Sequence, residues 1–419
     1  MLSHRRPRPR STSVLALVAL AALAACSTAE RDASSLTIER DTIGDTVVVR
    51  TVAGSVWGDS VRLVEELRIG DADAGDEYGF GQVADLAVGA DGTIYVHDFA
   101  MKSIRAYDAQ GRFLRAIGAQ GAGPGEYEEV IGLAVLPDGR LLLRDAGLGR
   151  INVYSADGEP LGAWPFSAGL YASDMVRTDT AGRVYLKILT DDLRNVAQGD
   201  PWPMGYVRLD ATGAVIDTIP MPRWMEEVRN GAVYDPVGHW TWHPHGYMVA
   251  AFGARYGVEL RRPGEPVLRI ERAGQPTLPV PPGERSELDA RFAEMRRQGR
   301  FGRNAPPLRP VPAVKPAIRA LATGADGRIW VRPSMPSVES TEPVDTTLSI
   351  ADRPRRWKER TAWDVFEPDG TFLGRITLPE RAVIHAMRGD TLWGTVRDED
   401  DVPSVVRWRI ERGDASGDQ

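Results

Sequence analysis

The segment Val83–Gly118, VADLAVGADGTIYVHDFAMKSIRAYDAQGRFLRAIG, decides the fold. It reads as four short strands, Val83–Val88, Thr93–His97, Ser103–Tyr107 and Arg112–Ile117, each alternating or running in apolar blocks rich in Val, Ile and Tyr. Ala90-Asp91-Gly92 and Ala109-Gln110-Gly111 separate pairs of them and put glycine where a hairpin turn needs positive φ. Such a sheet cannot bury both its faces alone, so the pattern calls for copies of itself.

Working outward, the copies are there. Val130–Trp164 repeats Leu-Ala-Val as Leu133-Ala134-Val135, Asp-Gly as Asp138-Gly139, and Tyr107–Gly111 as Tyr154–Gly158. A third copy covers Asp174–Pro220, a degraded fourth lies around Gly246–Ile270, and a fifth spans Ile318–Leu378. The sixth has three strands, Val383–Met387, Thr391–Arg397 and Val405–Ile410. Its missing strand stands at the other end of the sequence: Arg62–Gly70 precedes an acidic, Gly-rich linker and Asp85–Val88, as Arg112–Gly118 precedes its linker and Gly132–Val135. Pairing Arg62–Gly70 with the last strand closes a ring of six and hides the edges that an open array would expose. The expected fold is all-β, a six-bladed β-propeller with one short helical and proline-rich insertion.

The pattern Leu-Ala-Val, Gly-x-Ile-Tyr-Val-x-Asp, Tyr-Asp-x-x-Gly-x-Phe-Leu resembles the NHL repeat, and Gly118–Tyr127 resembles the Gly-Pro-Gly-Glu connector of bacterial six-bladed propeller lipoproteins. The resemblance spans Arg62 to Ile410. It implies a fold and leaves chemistry open, because propellers host lyases, lactonases, sensors and scaffolds alike.

Residues 1–25 read as a signal peptide: Arg5, Arg6, Arg8 and Arg10 precede the apolar run Val14–Ala22. The segment ends Leu23-Ala24-Ala25-Cys26, which resembles the bacterial lipobox, so Cys26 is the expected lipidation site, with an ordinary secretory signal as the alternative. Cys26 is the sole cysteine, which leaves no intramolecular disulfide and no thiolate metal cluster. Ser27 in place of Asp favours the outer membrane by the sorting habit of such lipoproteins, with the protein facing the periplasm. Residues 26–35 are the expected flexible tether, 36–411 the propeller and 412–419 a disordered tail. The formal charge is −7, and the leading segment holds four arginines and no acid, so the remainder is more acidic still. That balance disfavours nucleic acid as a partner and leaves the membrane, through Cys26, together with an envelope protein or a small anionic ligand.

Two stretches depart from the repeat. Residues 274–316, between blades four and five, hold two proline-rich runs around Glu284–Gln298, a helical segment with an apolar stripe of Leu288, Phe292 and Met295 expected to pack on the propeller's own face. Residues 333–356 interrupt blade five as a long polar loop. Leu36–Val52 alternates like a hairpin; the pattern does not fix its place, and the outside of the closing blade is one position open to it.

For ligand binding, the second strands of four copies end on His97, Arg144, Lys187 and Arg332 at one equivalent position. Symmetry would gather these cations around the axis as a trap for a carboxylate or phosphate; the alternative is that each pairs locally, for example with Asp98 or Asp145, or points to solvent between blades. His239, His243 and His245 have the even spacing of one strand face and would suit an open zinc site, against which stand Pro244 and the lack of an adjacent carboxylate. The NHL-type amidating lyases draw metal-binding histidines from several blades, a pattern not met here. Asp71–Glu77 alternates oxygen ligands as a calcium site would, but without the length of an EF-hand loop. The sequence favours a lipid-anchored binding or scaffolding module over an enzyme, with a metal-dependent propeller hydrolase or lyase as the alternative.

Overall fold

Turn chemistry sets the local structure. Gly92, Gly139, Gly182, Gly246 and Gly327 hold the same inner turn of five successive repeats with φ between +77° and +90°, where a side chain would strain the backbone. The computed structural model describes residues 36–58, 60–166, 176–196, 203–222, 233–301 and 308–413. Cys26 and residues 1–35 therefore lie outside the described residues.

Blade one consists of Val83–Val88, Ile94–Asp98, Ser103–Tyr107 and Phe113–Ala116, hydrogen-bonded in that order from the axis outward. Blade two repeats it with Val130–Val135, Leu141–Asp145, Arg150–Tyr154 and Pro160–Pro165, and blade three with Arg177–Thr178, Val184–Leu189, Met204–Leu209 and Val215–Pro220. Blade four begins at Gly238–Trp242 and continues through Met248–Phe252, Gly257–Arg261 and Val267–Arg272. Blade five takes Ile318–Thr323, Ile329–Pro333, Ala362–Phe366 and Phe372–Thr377.

Blade six holds Ala382–Arg388, Thr391–Arg397 and Pro403–Arg412, and its fourth strand comes from the beginning of the chain: Val61–Ile69 pairs antiparallel with the last strand, Val64 opposite Arg409 and Glu65 opposite Trp408. The circular closure expected from the repeats is thus formed. The last strand runs through Arg412 rather than stopping before a tail at 412, because Val61 remains as its partner there.

The N-terminal hairpin takes a place that its sequence pattern left open. β1 (Thr37–Ile43) and β2 (Thr46–Ala53) join blade four, with β2 parallel to Val267–Arg272, and so make that blade six-stranded instead of extending the closing blade. From β2 the chain crosses blade five, where Val56 and Trp57 donate to the carbonyls of Phe372 and Leu373, and then enters blade six as β3 (Val61–Ile69). The segment is a strap over three consecutive blades.

The core is divided among the seams between blades. Six apolar clusters lie between blades one and two, two and three, three and four, four and five, five and six, and six and one. An open row of six sheets has only five seams, so the sixth cluster, with Ile69, Phe80, Leu86, Trp393 and Val405, is the energetic counterpart of closure. A seventh cluster, Tyr234, Val280, Leu288 and Val311, belongs to the insertion. There α1 (Pro282–Arg297), the one α-helix among the described residues, lies between the two proline-rich runs.

Candidate functional site

Six inner strands around one axis leave a cavity of about 680 Å³. Its rim is formed where the inner strands end and turn, with Ala90, Pro137, Thr180, Pro244, Ala325 and Arg388 each supplied by a different blade. Leu133, Val135, Trp242, Leu321, Trp363 and Ile384 make much of its wall apolar. Two arginines stand at the rim. Arg388 reaches across the seam to the carbonyls of Val88, Gly89 and Ala90, at 3.4, 3.1 and 3.4 Å, while Arg177 makes no ion pair among the described residues.

At the inner end of this cavity a buried carboxylate ties three blades. Asp85, 4% exposed on the inner strand of blade one, accepts from its neighbour Leu86 N at 2.8 Å and from Leu133 N of blade two at 2.9 Å. Its Oδ1 lies 3.8 Å from Nδ1 of His385 in blade six, and His385 Nε2 lies 3.5 Å from Thr395 Oγ1. His385 itself lines the cavity. Neither residue is marked as a site by the motifs and spacings of the sequence. The available signal was a break in the repeat: at the position of Asp85 the other inner strands carry Gly132, His239, Ala320 and Val383.

The four basic side chains occupy equivalent register positions. His97 lies opposite Asp85, Arg144 opposite Gly132 and Arg332 opposite Ala320, while Lys187 lies opposite Tyr206 as His97 lies opposite Ile104. None of the four lines the axial cavity. They stand one strand out from the axis, toward the end away from the cavity mouth, and are packed between blades. His97, Arg144 and Lys187 are buried and Arg332 is partly so. Arg144 lies over the ring of Phe166 and Lys187 over that of Trp240, each at 5.7 Å. Burial holds His97 below its ordinary pKa despite the carboxylates of Asp85 and Asp98, so the imidazole is neutral at pH 7. Burial, followed by repulsion from Arg319, also lowers Arg332.

The aspartates that follow two of these residues are spent largely on backbone N–H groups. Asp98 accepts from Gly81 N, Gln82 N and Met101 N, and Asp145 from Glu128 N, Glu129 N and Leu148 N. Each carboxylate thereby clasps the connector that enters its blade to the turn that follows, which accounts for the Asp ending the Ile-Tyr-Val-x-Asp motif.

The three histidines of blade four are divided between strand and turn. His239 lies within the inner strand, while His243 and His245 lie in the turn after it. His243 is fully buried and stacked on Tyr247 at 4.1 Å; its Nε2 lies 2.8 Å from Gly327 O of blade five, and its Nδ1 accepts from His245 N at 3.1 Å. With both nitrogens committed to backbone, His243 is a structural link across the seam, and burial pushes its pKa down to about 4. No group of three metal-ligating side chains is gathered among the described residues.

At the far end from the cavity mouth, α1 packs on the propeller's own loops. Leu288 and Phe292 join Tyr234, Val280 and Val311, whereas Met295 lies outside that cluster. Arg291 donates to the carbonyls of Ala351 and Arg353 in the blade-five loop, at 3.0 and 2.8 Å. Glu284, 1% exposed in the first turn, accepts from Tyr234 Oη at 2.6 Å and from Arg355 at 3.0 Å. The two departures from the repeat are thus one unit, the helix braced by the loop.

A family model described as a six-bladed β-propeller, DUF5128, matches residues 74–192, which cover blades one and two and the start of blade three. Among solved structures, a member of the DUF4221 family from Bacteroides vulgatus aligns over 84% of this chain and 99% of its own, with 12% identity and a TM-score of 0.53. A protein from Bacteroides fragilis aligns over 87% and 99%, with 11% identity and a TM-score of 0.49. A virginiamycin B lyase from Staphylococcus aureus aligns over 78% and 83%, with 11% identity and a TM-score of 0.38. No curated protein matches the chain. At such identities the likeness to the Bacteroides vulgatus protein concerns the fold alone, and the two weaker likenesses carry no argument about this chain. Blade architecture and family model agree: the chain is similar to six-bladed propellers, and it is itself an all-β six-bladed β-propeller with one short helix among the described residues.

Proposed function

We propose that this propeller is a ligand-binding module of a bacterial envelope, held to the periplasmic side of the outer membrane by lipid on Cys26, with an anionic ligand of small-molecule size taken into the axial cavity. The NHL-like repeat and the lipobox-like Leu23–Cys26 support the envelope part of this reading. The observation that carries the binding part is the cavity itself, about 680 Å³ and contributed by all six blades, a size typical of ligand pockets. Its apolar wall would hold the body of the ligand. The rim guanidinium of Arg177, which makes no ion pair among the described residues, supplies a charge, and Arg144, Lys187 and Arg332 add a positive background one strand away, with the neutral His97 at the equivalent position of blade one.

The anionic aromatic dye 8-anilinonaphthalene-1-sulfonate is a suitable probe. Trp242 and Trp363 line the cavity, so binding there is read as energy transfer from tryptophan to dye. One dye per chain is expected, with binding abolished by Ala386→Trp, which fills the cavity, and weakened severalfold by Arg177→Gln. Unchanged dye binding in a folded Ala386→Trp variant would remove the basis for an axial site.

A further inference from the structure

A second cavity, of about 370 Å³, lies away from the axis where the insertion meets blades four and five. Four cations line it: Arg255, Arg272, Lys315 and Arg375. Beneath them Asp364 is fully buried and accepts from Arg272 at 2.9 Å, from Arg375 Nε and Nη2 at 2.6 and 2.9 Å, and from Tyr256 Oη at 2.6 Å. Lys315 spends its donors on Met335 O, Ser337 Oγ and Glu359, at 2.8, 2.6 and 3.1 Å. Two carboxylates thus face four cations, and positive charge is left over. Arg255, at the exposed edge, makes no ion pair among the described residues, and Arg272 gives Asp364 a bond from only one of its nitrogens. A further observation points to a ligand: Ser334, on the cavity wall and only 8% exposed, has a hydroxyl with no hydrogen-bond partner among the described residues.

From the surplus of guanidinium donors and this orphaned hydroxyl we infer that the cavity is a binding site for a phosphate-type oxyanion, separate from the axial site. Arg272 and Arg255 offer N–H groups to its oxygens, the Ser334 hydroxyl donates a third bond, and the Asp364 network holds Arg272 and Arg375 in place before the anion arrives. The cavity lies on the side of the ring from which the described chain begins, because Thr37 pairs with Ala53 and Ala273 N donates to Thr51 O beside Arg272. The phosphate of an anionic lipid headgroup and free phosphate share this chemistry.

The test uses the full chain in detergent, titrated calorimetrically with inorganic phosphate, and the same chain assayed for flotation with phosphatidylglycerol and with phosphatidylcholine vesicles. One phosphate per chain is expected, bound at least tenfold more weakly by Arg255→Ala and severalfold more weakly by Ser334→Ala. Neither substitution removes a described partner, so both leave the unfolding midpoint without phosphate unchanged. If the headgroup is the source, the chain favours phosphatidylglycerol and Arg255→Ala loses that preference; if free anion is the source, phosphate binds and the two vesicles are equivalent. Absence of both Arg255-dependent effects would overturn the inference, and so would loss of phosphate binding in the axial variant Ala386→Trp.

Discussion

His243 shows how a residue that looks functional in sequence can be structural in place. Its two ring nitrogens bridge blades four and five through backbone groups, and its burial disfavours the second proton that would charge the ring. The folded pKa of about 4 lies below the unfolded value near 6.5, so between them the unfolded state binds more protons. Stability from this site is complete above pH 6.5 and falls as pH drops through about 4, by on the order of 2–3 kcal/mol. Urea unfolding at pH 7 and pH 4 checks it: the parent chain should lose about that much more than His243→Gln, and equal losses would contradict the assignment. The even spacing of His239, His243 and His245 was legible, but the turn that spends His243 on Gly327 O depends on a blade distant in sequence. Asp85 is the converse, a polar residue within an apolar strand whose partners Leu133 and His385 come from two other blades.

At the scale of elements, the strap is where sequence reading stopped short. β1 and β2 alternate like any hairpin, and that pattern fixes which faces are apolar without naming the edge they join. Parallel pairing with Val267–Arg272 has no counterpart in the repeat, whose own strands are all antiparallel. The strap is anchored by Trp57, which is 5% exposed, packs in the seam between blades five and six and lies so close to Gly374 that a Cβ there would come within 2.8 Å of its ring. Trp57→Ala should cost about 3–5 kcal/mol in urea unfolding, as large-to-small changes in cores do. A loss under about 1 kcal/mol would mean that the strap lies on the ring without stabilising it. The helix, by contrast, was largely legible: expected at Glu284–Gln298, it spans Pro282–Arg297, starting two residues earlier because proline is tolerated in the first turn, and two of the three expected stripe residues make the contact.

For the whole molecule, period and turn chemistry determine the ring, and the orphan strand at Val61–Ile69 determines how it shuts. What the period could not convey was depth. Equivalence in the repeat placed His97, Arg144, Lys187 and Arg332 at one height but did not distinguish the second strand from the axis, so the cavity came to be lined by other residues. Both proposed sites require that the six seams be complete, since an open ring has neither a closed axial wall nor a fixed junction at blade five. The most direct measurement is a disulfide between Val64→Cys and Arg409→Cys in a Cys26→Ser background, at positions that lie opposite each other in neighbouring strands. Mild oxidation should join the two ends within one chain and raise stability against urea by roughly 5 kcal/mol for so long a loop. Failure to cross-link, or cross-linking only between chains, would contradict a propeller closed by its own first and last strands.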